Sequence, residues 1–420
     1  MAATDTHRAI EAVWRIESAR VTAGVARIVR DIGLAEELAQ DALVAALEQW
    51  PSAGIPDNPA AWLMATAKRR AIDHFRRRAV HERKLLELGA GAEAGHDPTP
   101  DVDAALDDDI GDDLLRLVFT ACHPVLPTEA RVALTLRLLG GLTTGEIARA
   151  FLVPEATVAQ RIVRAKRTLA RAQVPFEVPA GPDLAPRLGS VLEVVYLIFN
   201  EGYAATAGED WMRPALCEEA LRLGRILAEL APLEPEVHGL VALMEIQASR
   251  MRARTGPSGQ PVLLLDQDRT RWDRILIRRG LDALERAGKL GGAAGPYALQ
   301  AAIAACHARA LTPEATDWPA IAALYGALAA VMPSPVVELN RAVAVGMALG
   351  PAPALELVDA LREEPALAGY HLLPSVRGDL LAKLGRLEEA ASEFRRAASM
   401  TGNERERELL LARAAACTPS

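Results

Sequence analysis

The sequence predicts an all-α protein: two small helical domains, the second carrying a helix-turn-helix, joined by an acidic linker and followed by an α-helical repeat domain. Three observations point there. Half of the 420 residues are apolar and 24% are charged, a globular balance, while Phe, Trp and Tyr together reach only 4%. Ala, Leu and Arg run through the whole chain with few Val/Ile/Thr alternations, which favours helix over sheet. Apolar residues recur at three- and four-residue spacing between Pro and Gly breaks. At roughly 150 residues per domain, the length calls for two to three domains.

Along the chain, Leu38, Ala42, Ala45, Ala46 and Trp50 make one apolar stripe, and Trp50-Pro51 is expected to end that helix. Asn58 before Pro59 reads as an N-cap with proline in the first turn. It opens a helix through Trp62, Ala65, Ile72 and Phe75 to about Arg78. Leu86 to Asp113 holds ten acidic residues and no Lys or Arg, so residues 87–109 are expected to be a flexible linker. Leu114 to Thr120 and Glu129 to Leu139 read as helices, the latter closed by Gly140-Gly141. Thr143 to Glu146 offers a cap and a capping-box Glu for a short helix through Ile147, Ala148 and Phe151. After the turn at Leu152-Val153-Pro154, a second helix runs from Glu155 to about Ala172 with Val158, Ile162, Ala165 and Leu169 inward. That pair is the helix-turn-helix.

Net charge is -8 but unevenly spread. Lys68 to Lys84 carries eight Lys/Arg against two acids, and Arg161 to Arg171 carries five against none. Clustered cations are what a nucleic-acid backbone requires. On the second helix of the helix-turn-helix, Thr157, Gln160, Arg161 and Arg164 face outward. Gln and Arg are side chains that read adenine and guanine edges, and Lys166 and Arg167 remain for phosphates. The first patch differs because Trp62 and Phe75 share its helix, and aromatic faces beside cations suit unstacked bases. Its candidate contacts are Asn58, Trp62, Lys68, Arg69, Arg76, Arg77 and Arg78, although Trp62 is equally compatible with the core.

Cys122, Cys217, Cys306 and Cys417 are too widely spaced for a metal or redox motif, so four free thiols and no metal or cofactor are expected. The N-terminus has no apolar signal segment and no run approaches a membrane span, from which a cytoplasmic protein is expected. Beyond residue 176 the signal is repetition. Leu384 to Ala397 has the Gly, Ala, aromatic and Ala positions of a tetratricopeptide hairpin, and a weaker copy starts at Gly350. Leu216 to Arg254 and Pro296 to Met332 read as further helix pairs.

Taken in order, these motifs over residues 8–176 resemble a bacterial RNA polymerase sigma factor of the extracytoplasmic-function type. Gly33-Leu34-Ala35-Glu36-Glu37-Leu38-Ala39-Gln40-Asp41-Ala42 is similar to that family's polymerase-clamp segment, which implies core-polymerase binding by Leu38, Gln40 and Asp41. Asn58 to Leu63 and Arg69 to Asp73 resemble its minus-ten reader, and Leu142 to Ala148 with Val153 to Ala165 its minus-thirty-five reader. The resemblance implies region 2 over 1–86, region 4 over 110–176, and core RNA polymerase and promoter DNA as partners. One departure is Ala159, where many members have Lys.

Residues 177–420 resemble the tetratricopeptide-like extension of one subgroup, through Tyr196 to Tyr203, Leu264 to Trp272 and Leu339 to Ala344. Regulation through this fused domain is implied, by contact with the sigma domains or by a protein partner or ligand on the repeats. Asn200, Glu201, Asp266, Asp268, Arg271 and Trp272 are the candidate contacts, with capping and ion pairing as their other reading. Acids paired with Arg in a helical protein favour such structural roles over catalysis, so no enzyme is expected. A one-component regulator with a ligand-sensing repeat domain is the alternative, and it leaves the Trp62 helix unexplained.

Overall fold

The computed structural model describes residues 2–87, 110–151, 153–205, 207–208, 211–257 and 260–417, so nearly all of the expected linker lies outside them. The described chain is essentially all α-helix and divides into two units, 1–194 and 195–420. No helix among the described residues is long and apolar enough to cross a membrane.

In the first unit, α1 (Ala2–Val29), α2 (Ile32–Ala53) and α3 (Pro59–Glu87) pack around Val21, Val25, Leu38, Ala42, Trp50 and Leu63. The α2 stripe is buried as its periodicity requires. Pro51, however, does not end the helix, which continues to Ala53 and closes at Gly54 (φ 88°), whose N–H bonds Trp50 O at 2.9 Å. A proline in a last turn removes only one ladder bond, and the backbone of the turn continues past it. α3 also departs from expectation, reaching Glu87 and burying Leu63, Ala67 and Ala71, while Trp62, Ile72 and Phe75 are only half-buried and Ala65 is exposed. The small side chains at four-residue spacing let α3 approach α1 and α2 more closely than the bulkier stripe would.

α4 (Ile110–Ala121), α5 (Thr128–Leu138), α6 (Thr144–Phe151) and α7 (Glu155–Arg171) form a second bundle that packs on α1 through α4. Arg27 on α1 pairs there with Asp113, buried on α4, at 3.3 Å. The unit continues past residue 176 because the start of α8 (Leu184–Tyr203) is bonded into it. Arg187 donates to Phe119 O at 3.0 Å, Ser190 to Cys122 O at 2.6 Å, and Arg131 pairs with Glu193 at 3.0 Å.

The second unit is a row of helical hairpins. α9 (Pro214–Leu230) pairs with α10 (Pro235–Ala248), and α11 (Arg274–Lys289) and α12 (Pro296–Arg309) pack on α10. α13 (Trp318–Val331), α14 (Pro335–Leu349), α15 (Pro351–Ala360), α16 (Leu372–Lys383), α17 (Leu387–Met400) and α18 (Glu404–Ala416) then follow, each touching the next. Leu384 to Ala397 spans the α16–α17 turn, where Gly385 sits at φ 77°. Gly378 on α16 lies against Phe394, and a Cβ there would meet the ring at 2.9 Å. Strand β1 (Ala207–Gly208) pairs in parallel with β2 (Gly402–Asn403), joining the beginning of the row to its end. Asn403 reinforces the junction by donating to Ala205 O at 3.4 Å.

Candidate nucleic-acid and polymerase interface

Asn58 caps α3 by accepting from Ala61 N at 3.0 Å, satisfying one of the free donors at the helix start. From that fixed start, Arg69, Arg76, Arg77 and Arg78 come out exposed on α3. Lys68 lies on the inner side at 9% exposure, and Leu38 is buried in the bundle core. Trp62 is half-buried with its ring edge-on to Trp50 at 5.3 Å between centroids, so one side of it belongs to the core. Asp41 on α2 meets Arg70 on α3 at 3.3 Å.

The turn into the second helix pair is built by Thr143 and Glu146. Thr143 N and Oγ1 each donate to Glu146 Oε2 at 2.8 Å, and Glu146 N donates back to Thr143 Oγ1 at 3.2 Å, a complete capping box. α7 buries Val158, Ile162, Ala165 and Leu169 and nothing else. Four residues on one face fix its rotation, so Gln160, Arg164 and Arg167 stand in water and Thr157 is half-buried. Arg161 pairs with Glu129 at 2.8 Å.

Lys166 is drawn into a contact that sequence reading missed. Glu36, 7% exposed on α2, accepts from Gln40 Nε2 at 2.8 Å and Arg137 Nε at 2.7 Å, and pairs with Lys166 Nζ. One buried carboxylate therefore holds α2, α5 and α7 together. A nearby cleft of about 870 Å³ is edged by Arg27, Arg30, Arg116 and Lys166, with Asp31 and Glu177 as its acids. The only early signal was an acid among apolar neighbours in Ala35-Glu36-Glu37-Leu38, which marks a helix but names no distant partner.

In the second unit the six candidate residues divide. Asn200 is hydrogen-bonded to Tyr196, and Glu201 pairs with Arg213. Trp272 is buried, 3% exposed, whereas Asp266 and Arg271 are exposed. Asp268 caps the 3-10 turn Arg269–Arg271, accepting from Thr270 N at 2.9 Å and Thr270 Oγ1 at 2.6 Å, which lowers its pKa. Between them Arg269 turns inward at 4% exposure, a residue the sequence reading passed over. Cys122, Cys217 and Cys417 are buried, and burial pushes the Cys122 thiol up to about 11 and Cys217 to about 12.

His307 on α12 is 8% exposed, its ring edge-on to Trp318 at 5.1 Å. Burial, then the charges of Arg250 and Arg269, lower its pKa to about 3. The folded ring stays neutral while the unfolded one takes a proton below about 6.5, so stability present above that pH is lost as pH falls through it. The second unit is expected to lose about 2 kcal/mol by pH 5 from this group alone. Urea unfolding at pH 7.5 and pH 5 checks it, with His307→Gln expected to flatten the difference.

Among known families, residues 15–80 match Sigma-70 region 2, residues 116–169 match Sigma-70, region 4, and residues 187–288 match a family of unknown function. The chain is 45% identical over 385 residues to an uncharacterised protein of Rhizobium meliloti (strain 1021), covering 90% of this chain and 89% of that one. It is 34% identical over 154 residues to the ECF RNA polymerase sigma factor SigK of Mycobacterium bovis (strain BCG / Pasteur 1173P2), covering 36% of this chain and 78% of SigK. SigK of Mycobacterium ulcerans (strain Agy99) is 33% identical over 156 residues, with the same two shares. No solved structure matches.

Proposed function

The chain belongs to the extracytoplasmic-function RNA polymerase sigma factors, and from that membership we propose how its parts divide the work. It is a sigma factor, directing core RNA polymerase to promoters for the initiation of transcription. α2 docks core polymerase through Gln40 and Asp41. The exposed arginines of α3, with Asn58 and Trp62, hold the opened minus-ten strand, where each base stacked on an aromatic returns about 1 to 3 kcal/mol toward the cost of opening. α7 enters the major groove of the minus-thirty-five element, with Gln160 and Arg164 toward the bases and Arg167 toward phosphates, Lys166 reaching a phosphate only by leaving Glu36. The helical extension regulates these steps, and the protein works in the cytoplasm, where its polymerase is.

The observation that carries this reading is α7: four buried apolar positions on one side and exposed Gln160, Arg164 and Arg167 on the other, behind a short capped helix. A one-component regulator accounts for α6 and α7 but leaves the region 2 match without a purpose. Promoter-dependent transcription by full-length protein with core polymerase separates the two, since a repressor starts no transcripts. Gln40→Ala with Asp41→Ala is expected to weaken core binding about tenfold in a titration, with the melting temperature lowered by only about 2 to 6 °C through the lost bonds to Glu36 and Arg70. Undiminished affinity would remove both residues from the interface.

A further inference from the structure

The second unit buries three arginines side by side. Arg250 is 9% exposed, Arg254 6% and Arg269 4%. None of them meets a carboxylate at ion-pair distance among the described residues. Among the described residues their hydrogen bonds go to neutral acceptors. Arg254 donates to Tyr203 O, and Arg250 to Gln247 Oε1. Arg269 donates to His307 O at 2.9 Å, Ala310 O at 2.8 Å and Thr316 Oγ1 at 2.9 Å. The bonds to Tyr203, His307 and Ala310 carbonyls cap the ends of α8 and α12, which explains Arg269 well and Arg254 in part. They do not explain Arg250, whose Nε is buried without a partner, as is that of Arg269.

The surroundings are aromatic. The Arg254 guanidinium lies 3.5 Å from the Tyr203 ring centroid and 4.4 Å from that of Trp211. Arg250 lies 5.8 Å from Tyr203 and 5.7 Å from Trp272, and Arg269 5.1 Å from Trp272. Aromatic faces soften buried cations but do not neutralise them. Burial and repulsion from Arg250 push the pKa of Arg254 and Arg269 below its ordinary value, and the charge of Glu314 offsets this only in part at Arg269. The turn holding Arg250 and the turn holding Arg269 are tied by Asp273 N donating to Ser249 O at 2.9 Å, so their backbones are joined beside the cluster.

We propose that Arg250, flanked by Arg254 and Arg269 and walled by Tyr203, Trp211 and Trp272, is an oxyanion-binding site that takes the carboxylate or phosphate group of a small regulatory ligand. An oxyanion there brings negative charge to the buried cations and accepts from the unpartnered Nε–H groups of Arg250 and Arg269, the pairing for which a guanidinium fork is shaped. Trp211 belongs to the stretch that closes the hairpin row, its carbonyl accepting from Ala205 N at 2.9 Å, next to β1. Occupancy therefore tightens the closure of the extension.

This deepens the regulatory reading of the extension, and its test needs no transcription. Full-length protein is titrated with sodium phosphate, and separately with sodium acetate, at ionic strength held constant with sodium chloride, and followed by calorimetric melting. A saturable rise of about 5 °C or more in the transition of the second unit is expected at a hundredfold excess over Kd. The stronger of the two arms identifies the ligand group as phosphate or carboxylate. Arg250→Gln should weaken the response at least tenfold, while Arg278→Gln, at an exposed position on α11, should leave it unchanged. Should Arg250→Gln fail to fold, Arg250→Lys keeps the charge without the fork and is expected to fold and bind more weakly. Equal response to chloride, or an undiminished response in the folded Arg250 variant, overturns the site. Oxyanion binding together with unaltered transcription on loss of the extension would overturn only the regulation.

Discussion

Glu36→Ala is expected to lower the melting temperature of the first unit by about 6 to 12 °C, corresponding to about 3 kcal/mol. Removing one partner of a buried ion pair leaves the others charged and poorly solvated. The lower part of the usual range applies because the Arg137 and Lys166 side chains keep 24% and 21% exposure. The two cations left behind also repel one another across the space that Glu36 filled. The variant has a second readout. Lys166, released from α2, becomes available to phosphate, so the salt dependence of promoter binding should steepen by about one unit of slope. Calorimetry and binding at several salt concentrations check the pair. A melting temperature and a slope both equal to wild type would mean that Glu36 joins nothing. If the effect appears, engaging DNA through Lys166 competes with the contact that packs α7 on α2.

Gln160→Ala with Arg164→Ala should reduce affinity for the minus-thirty-five element by about 1 to 3 kcal/mol per residue and relax base preference at the contacted positions. Neither side chain is spent on the fold, since both lie opposite the buried face of α7. Arg167→Ala should instead weaken binding evenly across sequences and flatten the salt slope. Arg161 is different because Glu129 holds it at 2.8 Å, and part of any loss at Arg161→Ala will come from ungripping Glu129. Binding selections on randomised duplexes distinguish the cases. Uniform loss in all of the variants would mean that α7 lies along the backbone and reads no bases.

What the sequence made legible was local. The Val158, Ile162, Ala165 and Leu169 stripe, the Thr143–Glu146 capping box and the Asn58 cap each depend on residues within a turn or two, and all appear at the expected positions. α3 was harder, because Trp62, Ile72 and Phe75 are larger than Ala67 and Ala71 yet the small residues won the inner face. There the constraint is how closely two backbones can approach, which hydrophobicity alone does not report. Glu36 with Arg137 and Lys166 joins segments far apart in sequence, and the three buried arginines, close together in the chain, turn inward from loops and short turns, so no periodicity announces either group. β1 and β2 are two residues each, too short for any alternation to register.

That short pairing changes how the second unit should come apart. An open stack of hairpins has two ends, each able to fray repeat by repeat, and its stability grows as a sum over neighbours. Here residue 207 meets residue 402, so the first hairpin borrows support from the last. Loosening any one junction then strains the closure, and the terminal repeats lose their independence. The same contact joins residues 207 and 402, a separation far greater than any one hairpin spans, which places it late in folding, after the local hairpins have formed. A chain emerging from the ribosome would hold its completed hairpins as an open arc until residues 402–403 arrive, and only then can it latch.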